Sequence, residues 1–412
     1  MDDRRNIVLV TADSLRADHC GHLGGENLTP NLDRLAADGV AFETAMANAG
    51  ATRASMSSFL TGRYPHARPT ASSVRDLVGQ HFAAENTLPE RLSRRGYETA
   101  VFTANPWTSR YFLDEDFFDH FVDFMDEDGD TPSETTGDVG TTVERGGTLN
   151  RMVNWWQGQD MFMTWEAMID HIEMWLADAS EPYFCWVFVV DPHMPYLPPA
   201  AHRTQSQLLV YAANAWLYAD RPGPFDSFFS DVLAEAYRNT VRYTDEVVGR
   251  LSEQLTEDTV FGFHADHGEV FGEDGMYGHG NAHEKTLRVP LVLANAGRGS
   301  DRVTEPFSLC SLPDLLVDAA TATEFDPRDH TEPYVTARLA GPERVVRGPD
   351  WKYVRRVDGE QTYRVRGGTQ VEADLDDLRA TCSALADAWD RSTADRREVM
   401  AAAADLVESE RL

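Results

Sequence analysis

The segment Asn6-Ile7-Val8-Leu9-Val10-Thr11-Ala12-Asp13 decides the fold class. Residues 7–10 form an unbroken apolar run. A strand with one solvated face alternates apolar and polar residues, whereas a strand covered on both faces does not. The run therefore reads as a buried strand of a parallel sheet. Asp13 sits just past its C-terminal end, the edge at which open α/β sheets gather their ligands.

Working outward, Thr29-Pro30 opens a helix, with Thr as N-cap and Pro at the first helical position. Leu32, Leu35 and Ala36 give that helix an apolar face, and Gly39 stops it. Residues 40–45 read as the next strand. A loop beginning at Ala49 feeds a helix that ends at Thr61-Gly62-Arg63. Residues 88–94 read as a helix and 98–103 as a strand. Two further apolar strands, 183–190 and 259–263, run into Asp191-Pro192-His193 and Asp266-His267-Gly268, and 289–294 is a fourth. Strand, loop and helix in alternation predict an α/β fold with a doubly wound, largely parallel sheet flanked by helices.

Residues 126–148 are rich in Asp, Glu, Gly and Thr, lack periodicity, and read as an exposed, mobile acidic insertion. Residues 152–177 are Trp- and Met-rich at helical spacing; Trp155 and Trp156 there are candidates to shape a substrate pocket. Past residue 330 the texture changes: 351–356 and 361–365 read as short antiparallel strands, and 375–412 as one or two amphipathic helices. The expected organisation is a catalytic domain over 1–330 and a small C-terminal α+β subdomain over 331–412.

Acidic residues number 68 against 37 Lys and Arg, a net charge of −31, and Lys285 and Lys352 are the only lysines. An acidic, lysine-poor surface fits a protein adapted to molar salt, where self-repulsion is screened within about 3 Å. The same balance argues against nucleic acid as a partner, since little basic surface is available to displace counterions. Cys20, Cys185, Cys310 and Cys382 are scattered without a C-x-x-C pair and read as free thiols of a reducing compartment. No stretch reaches 18 apolar residues, and the charged start runs directly into the first strand. The expectation is a cytoplasmic protein without a membrane association. Oligomeric state is left open.

Three strand ends thus deliver Asp13, Asp191 with His193, and Asp266 with His267. Two hard carboxylates and an imidazole suit one divalent cation, Ca2+ or Mg2+ if oxygen dominates and Mn2+ or Zn2+ if nitrogen does. In this order and spacing the segments resemble the sulfatase family of the alkaline phosphatase superfamily. The resemblance rests on Asn6 to Asp18, on Thr29-Pro30-Asn31-Leu32-Asp33-Arg34-Leu35-Ala36, and on Ser58-Phe59-Leu60-Thr61-Gly62-Arg63-Tyr64-Pro65-His66. It continues through Asp191-Pro192-His193-Met194-Pro195-Tyr196, Asp266-His267-Gly268-Glu269 and Leu287-Arg288-Val289-Pro290-Leu291. It covers residues 6–115 and 183–365. It implies an alkaline-phosphatase-like sandwich with a small C-terminal subdomain, sulfate-ester hydrolysis on a small-molecule or glycan ester, and a metal, Ca2+ first, on Asp13, Asp266 and His267.

Several positions depart from the family pattern. Ser14 stands where the family has a second acid. Thr52, nine residues before Thr61, stands where most sulfatases carry a Cys or Ser that becomes formylglycine. A Thr cannot form that aldehyde. A Thr at a helix start is nonetheless a sound nucleophile beside a cation, as in related phosphodiesterases and phosphotransferases, and the other reading of Thr52 is a plain helix N-cap. The resemblance makes this chain a haloarchaeal-type member with Thr at the nucleophile position. It assigns His193 and His279, the latter twelve residues after His267, to charge and proton handling. Arg53, Asn105 and His283 are candidates for substrate contact, Asn105 standing near where the family's Lys/His pair is absent. Two other functions stay open: a phosphodiesterase or phosphoryl transferase of the same superfamily, and a non-catalytic binder of sulfated or phosphorylated glycans.

Overall fold

The computed structural model describes residues 4–64, 73–84, 86–113, 115–124, 164–218, 223, 225–339 and 343–408. The expected acidic insertion, Trp155, Trp156 and His66 lie outside the described residues. In chain order the strands are β1 (Asn6–Ala12), β2 (Val40–Phe42), β3 (Ala45–Met46), β4 (Glu98–Thr103), β5 (His120–Asp123), β6 (Tyr183–Val189) and β7 (Thr259–Ala265). They continue with β8 (Val270–Phe271), β9 (Tyr277–Gly278), β10 (Arg288–Val289), β11 (Leu291–Ala294), β12 (Asp301–Val303) and β13 (Phe307–Ser308). The last five are β14 (Val335–Arg338), β15 (Arg344–Arg347), β16 (Trp351–Arg356), β17 (Gly359–Arg366) and β18 (Thr369–Glu372). The helices named below are α1 (Pro30–Asp38), α2 (Thr52–Thr61), α3 (Val74–Ala84), α4 (Leu88–Ser93), α5 (Trp165–Asp178), α6 (Gln207–Tyr218), α7 (Asp226–Ser252), α8 (Glu284–Leu287), α9 (Leu312–Thr321) and α10 (Asp376–Glu408).

The main sheet has eight strands in the order β12-β2-β11-β7-β1-β6-β4-β5. Only β11 runs against its neighbours β7 and β2; the other pairings are parallel. All seven residues of β1 are buried, as its apolar run requires, and it lies between β6 and β7. Leu9 faces Gly262 in register, where a Cβ would come within 3.1 Å of the Leu9 side chain. A side chain at that position would therefore press on the fully buried Leu9. The core is formed by the sheet with residues from α1, α2, α4, α7 and α9 packed on it.

Two local expectations are corrected. Residues 40–45 form two strands: β2 joins the main sheet, while β3 joins a separate three-stranded sheet with β10 and β13. Residues 289–294 are likewise divided, because Pro290 lacks the N–H that an unbroken ladder needs. The C-terminal region is a five-stranded antiparallel sheet, β14 to β18 in order, followed by one helix of 33 residues. Thr29 is the N-cap of α1 as expected, but its side chain makes no cap bond. Asp245 of α7 accepts the Asn31 and Leu32 N–H groups instead, each at 2.9 Å. The unpaired donors of a helix start are thus satisfied across the fold and not locally. Among the described residues no helix is long and apolar enough to cross a membrane.

Candidate active site

The order β7-β1-β6 places three strand ends side by side. Adjacent strands lie about 4.8 Å apart, so residues following them are within side-chain reach of one another. The backbone locks this edge: Asp13 N donates to Val189 O at 3.0 Å, and Asp266 N to Ala12 O at 3.3 Å. The expected convergence of Asp13 and Asp266 with His267 follows. One ligand atom from each lies within 4.8 Å of the others, and all three residues are fully buried.

The donor set fits a cation. Burial raises the pKa of both carboxyl groups, and Asp266 raises that of Asp13 further by repulsion. Asp266 Oδ2 is buried without a hydrogen-bond partner, a costly state for a carboxylate unless a positive charge meets it. His267 presents the right tautomer. Its Nδ1 lies 3.0 Å from the Gly268 carbonyl, so the Nδ1–H tautomer donates there and turns the Nε2 lone pair toward the carboxylates, 3.5 Å from Asp266 and 3.7 Å from Asp13. Burial also pushes the His267 pKa well down, so the ring is neutral.

Ser14 does not add a ligand charge, but it shapes the site. Its φ of 65° is left-handed, a conformation non-glycine residues adopt at a cost of roughly 1–2 kcal/mol. That turn points its N–H at Asp266 Oδ1 (3.1 Å), while its hydroxyl donates to Asp13 Oδ1 (3.0 Å). Asn105 donates to the other Asp13 oxygen at 2.6 Å. Its side-chain carbonyl also caps the turn that follows, accepting Trp107 N at 2.8 Å. Asn105, expected at the substrate, is thus a support for Asp13.

Thr52 is the first residue of α2, and Ala51 is the N-cap. Its hydroxyl lies 3.5 Å from each oxygen of Asp13 and 3.3 Å from His267 Nε2. The helix start has no side-chain cap, so its first N–H groups and dipole are free to face an anion. Ser55 fastens this helix to the end of β7 by donating to Asp266 O at 2.6 Å. Gly280 N donates to Gly50 O at 2.6 Å and draws the loop carrying His279 to the same place.

His279 packs against His267, ring centres 4.6 Å apart, and against His193 at 5.1 Å. Its Nδ1 lies 3.2 Å from Glu269 Oε1. Burial alone would lower the His279 pKa, but the buried Glu269 overrides this and raises it. His193 differs: burial, and then the charge of His279, lower its pKa to about 4. Glu269 had no role assigned from the sequence, although the Asp-His-Gly-Glu motif contains it. Arg53 is half-buried with its guanidinium 5.8 Å over the Trp107 ring, on the turn that holds Asn105. His283 is placed differently from expectation. It caps α8 by accepting Lys285 N at 3.1 Å, and its Nε2 is 3.8 Å from Asp274. These are the contacts of a capping histidine.

Neither lysine joins this cluster. Lys285 pairs with Glu273 at 2.7 Å, and Arg16 binds both Asp18 (2.7 Å) and Glu273 (3.0 Å) just behind Ser14. Burial would raise the Glu273 pKa, but the Arg16 charge and the Lys285 hydrogen bond hold it at about 2. A carboxyl depressed on folding stabilises fully above its unfolded value, near 4.3. That contribution is lost as pH falls through about 2. Thermal melts of the protein and of Glu273→Gln should therefore differ most at pH 6 and converge as pH falls from about 4.3 toward 2. A gap that stays constant over this range would mean that the carboxylate charge contributes nothing.

The sulfatase family profile matches residues 5–320 of the 412. The chain belongs to the sulfatase family. Arylsulfatase of Clostridium perfringens (strain 13 / Type A) is 24% identical over 343 residues, covering 71% of this chain and 69% of its own length. Iduronate 2-sulfatase of Mus musculus is 26% identical over 339 residues, 72% of this chain and 60% of its own length. The chain thus spans between three fifths and about two thirds of these two relatives. Among solved structures, a protein in complex with its substrate D-glucosamine-2-N,6-O-disulfate superposes with TM-score 0.66 at 16% identity, covering 95% of this sulfatase-family chain and 98% of that one. The phosphonate monoester hydrolase of Agrobacterium radiobacter superposes with TM-score 0.60 at 18% identity, with 96% of each chain covered. The fold is alkaline-phosphatase-like, as expected.

Proposed function

We propose that this chain hydrolyses sulfate esters of small molecules or glycans, with Thr52 as nucleophile and one divalent cation on Asp13, Asp266 and His267. The observation that carries this reading is the position of the Thr52 hydroxyl, 3.3 Å from His267 and 3.5 Å from Asp13, at an uncapped helix start. A cation held there would lower the pKa of the hydroxyl and offset the negative charge of the ester. Thr52 Oγ1 attacks sulfur opposite the ester oxygen, and the bond from sulfur to that oxygen breaks. His279, whose pKa the Glu269 carboxylate raises, gives its proton to the departing alcohol. Neutral His193 takes the proton that Thr52 loses. Water then attacks the sulfur of the Thr ester and gives a proton to the now neutral His279, the bond to Oγ1 breaks as His193 returns its proton to that oxygen, and sulfate leaves.

A Thr ester has no second hydroxyl to expel sulfate, so direct attack by water, the phosphatase route, is the step this chain is built for. That feature supports a second reading as a phosphodiesterase or phosphoryl transferase. Paired assays with p-nitrophenyl sulfate, p-nitrophenyl phosphate and bis-p-nitrophenyl phosphate, with Ca2+, Mg2+, Mn2+ or Zn2+, separate the two. Preference for the sulfate ester supports the first reading; a phosphodiester turned over faster replaces it with the second.

The acidic, lysine-poor composition supports adaptation to molar salt. Both lysines are already paired with acids, Lys285 with Glu273 and the fully buried Lys352 with Glu284 at 3.4 Å. The remaining acidic excess repels itself at low ionic strength. Thermal melts between 0.1 M and 3 M KCl should show a midpoint rising with salt by roughly 5 °C or more. A midpoint that stays level or falls would remove the salt-adaptation reading.

A further inference from the structure

A cavity of about 480 Å3 lies where β10 meets the turn between β17 and β18. Arg288, Arg347, Arg366, Glu43, Glu305 and Gly368 are among its lining residues. It shares none with Asp13, Asp266 and His267, nor with Thr52, His193 and His279.

One buried guanidinium N–H there has no acceptor. Arg347 Nε donates to the buried Glu284 at 2.9 Å. Arg288 Nε donates to the Glu43 carbonyl at 2.8 Å, but its Nη1 is buried without a hydrogen-bond partner, in a residue only 6% exposed. The wall acids are engaged elsewhere: Glu43 lies 3.6 Å from Arg302, and Glu305 accepts Thr304 N at 3.1 Å. A buried guanidinium N–H with no acceptor is unfavourable, and an anion within its reach would relieve it. The chain also keeps bare backbone next to it. Gly368 has a φ of +80°, and a Cβ there would lie 2.6 Å from Arg288 Nη1. The tight turn is thus closed over the guanidinium without a side chain filling the space.

We propose that this cavity is a second anion site, taking a sulfate or phosphate group, either free or carried on a molecule of about monosaccharide size, with Arg288 at its base and Arg347 and Arg366 beside it. Guanidinium groups match such groups because their N–H pairs bind two oxygens at once. The volume falls in the range of small-ligand pockets and exceeds what a lone halide needs. The site is separate from the proposed catalysis and stands whether the reacting ester is a sulfate or a phosphate.

The test is calorimetric titration of the full chain with inorganic sulfate, inorganic phosphate and glucose 6-sulfate, at one fixed KCl concentration. A saturable binding event is expected that Arg288→Gln weakens at least tenfold and Arg366→Glu at least threefold, while ester turnover at the Thr52 site is unchanged in Arg366→Glu. Tighter binding of glucose 6-sulfate than of inorganic sulfate identifies an organic ligand, and equal binding identifies the free anion. Arg288 is buried, so circular dichroism must show its variant folded; exposed Arg366 provides an independent variant. Isotherms that are the same in both variants and the parent, or no saturable heat with any probe, would overturn the proposal and leave the arginines as a link between two sheets.

Discussion

Thr52→Ala should reduce ester turnover by at least about a thousandfold, or about 4 kcal/mol of transition-state stabilisation. The size follows from the role: without an oxygen to form the covalent ester, only binding and polarisation remain. The protein itself should stay folded. The contacts of the hydroxyl lie between 3.3 and 3.5 Å, and its residue is the first of α2 and not its cap. Losing such long contacts costs well under the 0.5–1.5 kcal/mol of a good hydrogen bond. Thr52→Ser keeps the oxygen and should retain activity within about tenfold. Steady-state kinetics on the three proteins decide the matter. Full activity in Thr52→Ala would show that the hydroxyl is not the nucleophile. A folded, cation-loaded parent with no turnover of any ester would favour the non-catalytic glycan binder.

The second large effect is a reversal of sign at Asp266. With a cation bound, the protein should gain stability by mass action, about 2.7 kcal/mol when the free ion is a hundredfold above its Kd. Asp266→Asn should lose that gain, because it removes one of two buried carboxylates from a set of three ligands. After chelation the order should invert. Burial then raises the pKa of both carboxyl groups, that of Asp266 to about 7, and the charge of Asp266 raises that of Asp13 further. The amide has the same shape without the charge, so Asp266→Asn should melt higher than the chelated parent. Thermal melts with and without chelator, for parent and variant, provide the four numbers. If the parent melts at the same temperature in both conditions, no cation binds at these residues.

Ile7 to Val10 disclosed the central strand because a strand covered on both faces carries apolar residues on both, and so in an unbroken run. That requirement is local, and it is written in consecutive residues. The same holds for the Pro30 helix start and for the acids and histidines placed just past β1, β6 and β7. Family, fold class and the metal-ligand candidates Asp13, Asp266 and His267 could therefore be read from the chain alone. The assignment of β2 and β3 to different sheets could not, since partners far along the chain draw the two short segments apart. Nor could the capping of α1 by Asp245, which lies more than 200 residues away. In the site, sequence order does not say that β1 lies between β7 and β6, and that adjacency is what brings Asp13 to Asp266. Asn105 and His283 show the limit most clearly. Both are polar residues near a family motif, and composition cannot tell a ligand from a brace. Only the packed backbone decides it, by turning Asn105 toward Asp13 and His283 onto the start of α8, because buried polar groups bond to whatever the fold sets within 3 Å of them.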